Sequence, residues 1–301
     1  MAIFFALGTL ALVIFFGWLA RRLQILNAEH TRGLSNYIYY FALPALFFAK
    51  IAETDLASID PKIVLGSLAP IFALLAFLLI LRVMRILSKN TFALLALAIV
   101  FGSNAFFGVT FFEALAGDAG LNFAIISSSI LGPVGILLTI YLFEYATARG
   151  SGWCFCGKIF RNPLILAILA GVVFSILKVP AKPLLDAAGL IGQTAGPLAI
   201  FALGIFIFEN FSLAELRKSI PLALFRLLAL PLATFLILQF WLKPDASLHQ
   251  FLLLQSGIPA AISLAVFAER YKFFVGEVAN LVVLTSLGSF AILGIAYFLV
   301  N

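Results

Sequence analysis

Charge is scarce in this sequence. Only 11% of its 301 residues are Asp, Glu, Lys or Arg, against about 25% in an average soluble domain. With 64% of residues hydrophobic and a mean hydropathy of +1.17, a soluble domain of this length would have no wettable surface left. The composition is that of an integral membrane protein. Cysteine is almost missing: Cys154 and Cys156 are too few for a disulfide framework, and two thiols without further ligands make a poor metal site. The two histidines, His30 and His249, fall in or beside loops on opposite sides of the membrane, which excludes a His-based metal centre or catalytic triad. No Walker A sequence is present, so ATP-driven pumping by this chain is excluded as well. Asp55 and Asp60 are too far apart to read as the clustered aspartates of prenyl-transfer enzymes. Neither an enzyme nor a cofactor is expected. The apolar run starting at Ile3 has no basic stretch before it and no small-residue cleavage site after it, so it reads as a retained helix and not a signal peptide.

Long apolar runs are what the chain has instead. About 20 such residues of helix cross a bilayer core of roughly 30 Å. Ten runs qualify: 3–20, 34–52, 62–84, 92–116 and 121–146, then 163–179, 184–208, 219–241, 248–269 and 274–300. They are continuous, not alternating, which excludes barrel strands. The longest connection, 147–162, is basic and leaves no room for a soluble domain. When alternate loops are assigned to one side, starting after the first run, that side collects 14 of the 19 Lys and Arg residues. The other side keeps Lys50, Lys62, Lys178, Lys182 and Lys243. Basic loops stay in the cytoplasm, so both termini are expected outside it, most simply in a bacterial inner (plasma) membrane. The net charge of +6 is accounted for by these loops, and lipid rather than nucleic acid is the expected partner.

Five spans per half would place two similar halves in opposite orientations, and the residues support such a repeat. Pro44 corresponds to Pro197 at an offset of 153, Gly102 to Gly257 and Phe112 to Phe267 at 155, and Pro70 to Pro231 at 161. The fourth span of each half is also interrupted: Phe101-Gly-Ser-Asn-Ala-Phe-Phe-Gly108 in one, Gln255-Ser-Gly-Ile-Pro259 in the other. Glycine and asparagine are poor helix formers and proline removes a backbone donor. Unwound backbone survives in a bilayer only where it faces protein or a wet cavity. Matched breaks at corresponding spans point to a transporter's binding site, and the half-helix N-termini they create favour an anion.

These residues, with Leu43-Pro-Ala-Leu-Phe-Phe48, Asn162-Pro-Leu-Ile165, Gly196-Pro-Leu-Ala-Ile-Phe-Ala-Leu-Gly204 and Ile258-Pro-Ala-Ala261 followed by Ala268-Glu-Arg-Tyr271, resemble the auxin efflux carrier family along the whole chain. The family is similar in fold to the bile-acid sodium symporters. The resemblance implies an all-α membrane fold of ten transmembrane helices, built as two inverted five-helix repeats, 1–146 and 163–301, whose helices four and nine cross at their breaks. It implies a scaffold from 1–52 and 163–208 that forms a homodimer, and a transport domain from 62–146 and 219–301 that moves like an elevator. It also implies a carboxylate substrate. By position Asn104 matches the family's crossover asparagine, Gly108 the glycine after it and Pro259 the crossover proline. Thr110 stands where proline usually follows Gly108, and Ile262 where a polar residue is often found; both make the site less polar and point to an apolar or monoanionic acid.

The expected substrate site is therefore Gly102, Ser103, Asn104, Gly108, Ser256, Gly257, Pro259 and Ser263. Ionisable groups inside a span default to a functional reading with a named partner. Glu113 is a candidate proton carrier or an interfacial carboxylate. Arg226 and Glu277 read as interfacial anchors or as a mutual ion pair, and Glu144 with Arg149 as a boundary pair. Ser128 within Ser127-Ser-Ser129, together with Gln255 and Ser256, is a candidate sodium ligand, although small residues in a helix equally serve close packing. Gln193-Thr194 is placed between scaffold and mobile part. The coupling ion, H+ or Na+, stays open, as do a sodium-coupled symporter of bile-acid type and a channel or sensor.

Overall fold

Residues that are apolar on every face suit a helix that buries one side in protein and shows the other to lipid. A computed structural model describes residues 2–53, 60–147, 163–210 and 213–300. In chain order its helices are α1 (Ala2–Arg22), α2 (Ala28–Tyr37), α3 (Leu43–Glu53), α4 (Pro61–Val83), α5 (Lys89–Val100), α6 (Val109–Thr147), α7 (Pro163–Leu177), α8 (Lys182–Gln193), α9 (Ala195–Asn210), α10 (Leu213–Leu224), α11 (Leu230–Ile237), α12 (Ala246–Ser256), α13 (Ser263–Tyr271) and α14 (Val275–Val300). Helix α6 is kinked at Ala116 and Gly117, where Gly117 has φ +57°. Among the described residues the sole β-type pairing is a bridge between Gly102 and Ala260. Arg149, Cys154, Cys156 and Asp55 lie outside the described residues.

Among the described residues five stretches are long and apolar enough to cross a membrane: Pro61–Val83, Leu115–Thr147, Lys182–Glu209, Glu215–Leu242 and Val275–Ile295. Others expected from the sequence are cut short by their own backbone. Helix α5 has 12 residues before its break, and residues 257–262 separate α12 from α13. Large apolar side chains face outward, with Val83 74%, Phe240 73% and Leu190 70% exposed, a surface suited to hydrocarbon and not to water.

Short polar residues set the helix starts. Asn27 accepts from the amides of Glu29 and His30, Asp60 from Lys62, Ser88 from Thr91 and Asp245 from Leu248. Each such cap is worth about 1 kcal/mol. The turns after α1 and α4 have the same build. Gln24 and Arg85 adopt left-handed φ of 57° and 61°. The next two amides, Ile25 and Leu26 or Ile86 and Leu87, close on the carbonyls of Ala20 and Leu81. Arg21 and Arg82 each donate to the carbonyl of the leucine just before the next cap, both at 3.4 Å.

Among the described residues four π-helical turns interrupt the α-helical runs, at Ile38–Ala42, Asn104–Gly108, Phe225–Ala229 and Leu238–Leu242. Two of them end two residues before a proline, Pro44 and Pro231. A proline ring clashes with the carbonyl four residues back and offers it no amide; a widened turn just ahead relieves both.

The helices divide into two compact units. The first comprises Met1–Ser58 and Ala148–Phe211. In it α1 lies along α9, and α3 packs on α7 and α8. The α1–α9 contact is backbone on backbone: a Cβ at Gly17 would run into the Phe201 carbonyl, and one at Gly204 into the Ile14 carbonyl. Arg21 Nε donates to Glu209 Oε1 at 2.6 Å, and Tyr37 shares a 3.1 Å hydrogen bond with Thr194. Gln193 is exposed.

The second unit comprises Ile59–Thr147 and Ser212–Asn301. Here α10 lies along α14, α4 packs on α11, and α5 on α6. Aromatic rings fill its interior: Phe112, Phe123 and Phe251 meet with centroids 5.0–5.7 Å apart, and Phe143 stacks on Tyr271 at 5.2 Å.

Candidate functional site

The interrupted helices of the second unit meet at their interruptions. Helix α5 ends where Phe101 turns extended, at φ −131° and ψ 101°. Helix α12 ends at Gly257. The two extended segments then pair antiparallel: Ser103 N–H donates to the Pro259 carbonyl at 2.9 Å, and Ala261 N–H to the Phe101 carbonyl at 2.9 Å. Each break thus satisfies backbone groups that the other left open, which is what lets unwound chain persist in the interior. The Ala260 amide is taken up by Thr285 Oγ on α14, at 3.1 Å. Past the first break the chain re-enters helix through the π-helical turn Asn104–Gly108, with the Gly108 amide on the Ser103 carbonyl at 3.0 Å.

A charged side chain completes the crossing. Arg226 sits in the π-helical turn Phe225–Ala229 and is 2% exposed. Its Nη1 donates to the carbonyls of Ala98 at 3.1 Å and Ile99 at 2.9 Å; its Nη2 donates to the Ile258 carbonyl at 2.8 Å. The first two are among the carbonyls that the end of α5 leaves without amide partners, at the negative end of that helix's dipole. The third belongs to the other break, so one guanidinium ties both together. Among the described residues no carboxylate pairs with Arg226. The mutual ion pair with Glu277, one of the two readings the sequence offers, is not formed. Glu277 lies buried in the first turn of α14, where the helix dipole favours a negative charge. The sequence reading placed Arg226 near the membrane boundary by counting along a straight span, and so missed it as a site residue. The available signal was a lone arginine in an otherwise apolar run.

Gly102 is glycine for a steric reason. A Cβ there would stand 2.6 Å from Arg226 Nη2 and 3.0 Å from Asn104 Nδ2. Beside this cluster is a small cavity of about 20 Å³, room for one or two waters. Its polar lining is Ser67, Asn104, Thr234, Arg226, Gln255 and Ser256, and its apolar lining includes Ile71, Leu131, Leu230 and Leu252. Ser67 donates to Gln255 Oε1 at 3.0 Å, which orients that amide. Four buried polar atoms in this region have no hydrogen-bond partner: Ser103 Oγ, Asn104 Oδ1, Arg226 Nε and Gln255 Nε2. Leaving each unpaired costs about 1–3 kcal/mol, so the region is suited to receiving a polar ligand.

Of the residues expected at the site, Gly102, Asn104, Gln255 and Ser256 line the cavity. Ser103 and Pro259 belong to the paired breaks. Gly108 packs its backbone near Ile258. Gly257 packs against Leu293 and Ile292 of α14, and Ser263 is buried at the first residue of α13. Two coupling-ion candidates lie elsewhere. Glu113 is exposed on α6. Ser128 bonds to the Ala124 carbonyl of its own helix, as Ser127 does at 3.3 Å, while Ser129 bonds to that of Ile125 at 2.8 Å. Among the described residues no three His, Cys, Asp or Glu side chains gather as a metal site.

The family model described as membrane transport protein matches residues 2–152 and 153–297. The chain belongs to this family, the auxin efflux carriers that its motifs resemble. Among its relatives, a Rhizobium meliloti protein named "Putative malonate transporter" is 25% identical over 95% of this chain and 92% of its own length. An uncharacterized transporter of Methanocaldococcus jannaschii is 24% identical over 95% of this chain and 94% of its own. The mouse lysosomal cholesterol signaling protein is 23% identical over 96% of this chain, which spans 36% of that longer protein. The family and the names of the two microbial relatives indicate a membrane transporter rather than an enzyme.

Proposed function

We propose that the chain is a secondary transporter that moves a small organic anion, a carboxylate, and binds it where the two broken helices cross. The observation that carries this reading is the set of buried, unpartnered polar atoms beside the cavity, Asn104 Oδ1, Arg226 Nε and Gln255 Nε2. The family and the name of the Rhizobium relative support it. In this reading the cavity is the closed form of the site, since a carboxylate needs more than one or two waters' worth of room.

The proposed topology is ten spans in two inverted repeats. Bridging the two breaks and dividing α6 at its Ala116–Gly117 kink groups the described helices into ten segments, among them Ala28–Glu53, Pro61–Val83 and Val275–Val300. The family match also falls into two stretches that meet at 152/153. The first unit would be the scaffold and homodimer surface, and the second the mobile body of an elevator; each draws helices from both halves of the chain. In this topology, with basic loops on the cytoplasmic side, both termini would lie outside the cytoplasm of a bacterial inner membrane.

Asn104→Ala tests the site. Loss of a hydrogen bond to a charged ligand costs about 1.5–3 kcal/mol, or roughly ten- to a hundredfold in affinity. Uptake of labelled carboxylates into vesicles containing the variant is expected to fall by that factor with folded protein undiminished. Wild-type rates would remove the crossing as the site.

A further inference from the structure

Carbonyl oxygens freed by a break in a transporter helix are the ligands with which such proteins hold a coupling cation. Here three of them, on Ala98, Ile99 and Ile258, accept hydrogen bonds from one guanidinium. The position that a small cation would take among those oxygens is filled by a cation fixed to the chain. Arginine does not lose its proton in a protein, so the charge is permanent. Three bonds leave two of the five N–H donors, Nε–H among them without a partner. The same side chain lines the cavity with Asn104 and Gln255, and among the described residues no carboxylate neutralises it. A buried charge that lacks a counter-ion is the strongest recognition element available for an anion, because water does not compete for it.

We propose that Arg226 is a tethered cation that stands in for a coupling metal ion: it fills the carbonyl oxygens of both breaks and binds the carboxylate of the transported anion through its remaining donors, so that anion binding requires no sodium. This deepens the reading above and rests on the crossing as the anion site. Asn104 and Gln255 then contribute neutral hydrogen bonds that orient the carboxylate, while Arg226 supplies its charge balance. One fixed positive charge matches one negative charge, which favours a monocarboxylate or a dicarboxylate carrying a single charge.

The test uses the purified full-length protein and measures the shift of its thermal midpoint against butyrate, malonate and the neutral malonamide. Each is titrated in sodium chloride and in choline chloride at equal ionic strength. For the wild type we expect carboxylate affinities equal within about twofold in the two salts, and no shift with malonamide. Arg226→Gln should weaken carboxylate binding at least tenfold, and Arg226→Lys, which keeps the charge but not the planar fork, by less. Carboxylate binding that needs sodium, or undiminished binding by Arg226→Gln, overturns the proposal while leaving an anion carrier standing; equal binding of malonamide overturns the proposal and the anion assignment together. The salt and malonamide comparisons need no variant, so they decide the matter even where Arg226→Gln does not fold. Absence of any carboxylate response in the wild type overturns the carboxylate reading of the site itself.

Discussion

Gly102 and Arg226 form a mutually dependent pair. The guanidinium takes the space a side chain at position 102 would need, with Nη2 2.6 Å from where the Cβ would stand. The far end of an arginine usually yields cheaply to a methyl group, but this one is held by three carbonyls. Gly102→Ala is therefore expected to displace the charge rather than unfold the break, and to lower carboxylate affinity at least tenfold. Because its effect would act through Arg226, Gly102→Ala combined with Arg226→Gln should bind no worse than Arg226→Gln alone. Additive losses in that double-mutant cycle would show that the two positions act independently. At this scale the sequence was a partial guide. Glycine, asparagine and proline announced the breaks because each disfavours helix locally. The partners of the freed carbonyls lie 127, 128 and 32 positions away in the chain, and no local pattern marks them.

Helix boundaries were easier to read than helix interiors. Continuous apolar runs marked the five long apolar helices, since a bilayer demands about 20 such residues regardless of tertiary contacts. Asn27, Asp60, Ser88 and Asp245 cap helices in a way local sequence encodes. The π-helical turns were not legible, because their cause is the fit of a proline or a crossing partner inside a run that otherwise looks uniform. The same holds for the α1–α9 seam, where Gly17 and Gly204 let two backbones touch. Overpacking a close contact costs about 1–3 kcal/mol. Gly204→Ala should lower the thermal midpoint measurably, whereas Gly8→Ala, with open space around its position, should leave it unchanged. Equal midpoints for the two variants would mean that the seam can spread at no cost.

Across the whole molecule the chain passes between its two units three times, at 58/59, 147/148 and 211/212. Neither unit is a contiguous stretch of sequence, so each needs both halves of the chain in the membrane before it can close. The proposed orientation is open to direct measurement. In a background where Cys154 and Cys156 are replaced by serine, single cysteines at Gln24 and Arg85 should react with a membrane-impermeant thiol reagent only from the cytoplasmic side. Cysteines at Pro180 and Pro244 should react only from the opposite side. Labelling of all four from one face would overturn the inverted arrangement.

Under the proposed mechanism the unneutralised guanidinium at the crossing would also make voltage part of the transport cycle. If the second unit carries Arg226 through the membrane field, the empty carrier moves a positive charge and the carrier loaded with a monoanion moves none. A membrane potential does about 2.3 kcal/mol of work per elementary charge per 100 mV. It would therefore drive the return of the empty form, drawing it toward the negative side, while leaving the loaded step untouched. Net transport should generate current and exchange of one substrate molecule for another should not, which recordings on a supported membrane containing the protein can distinguish.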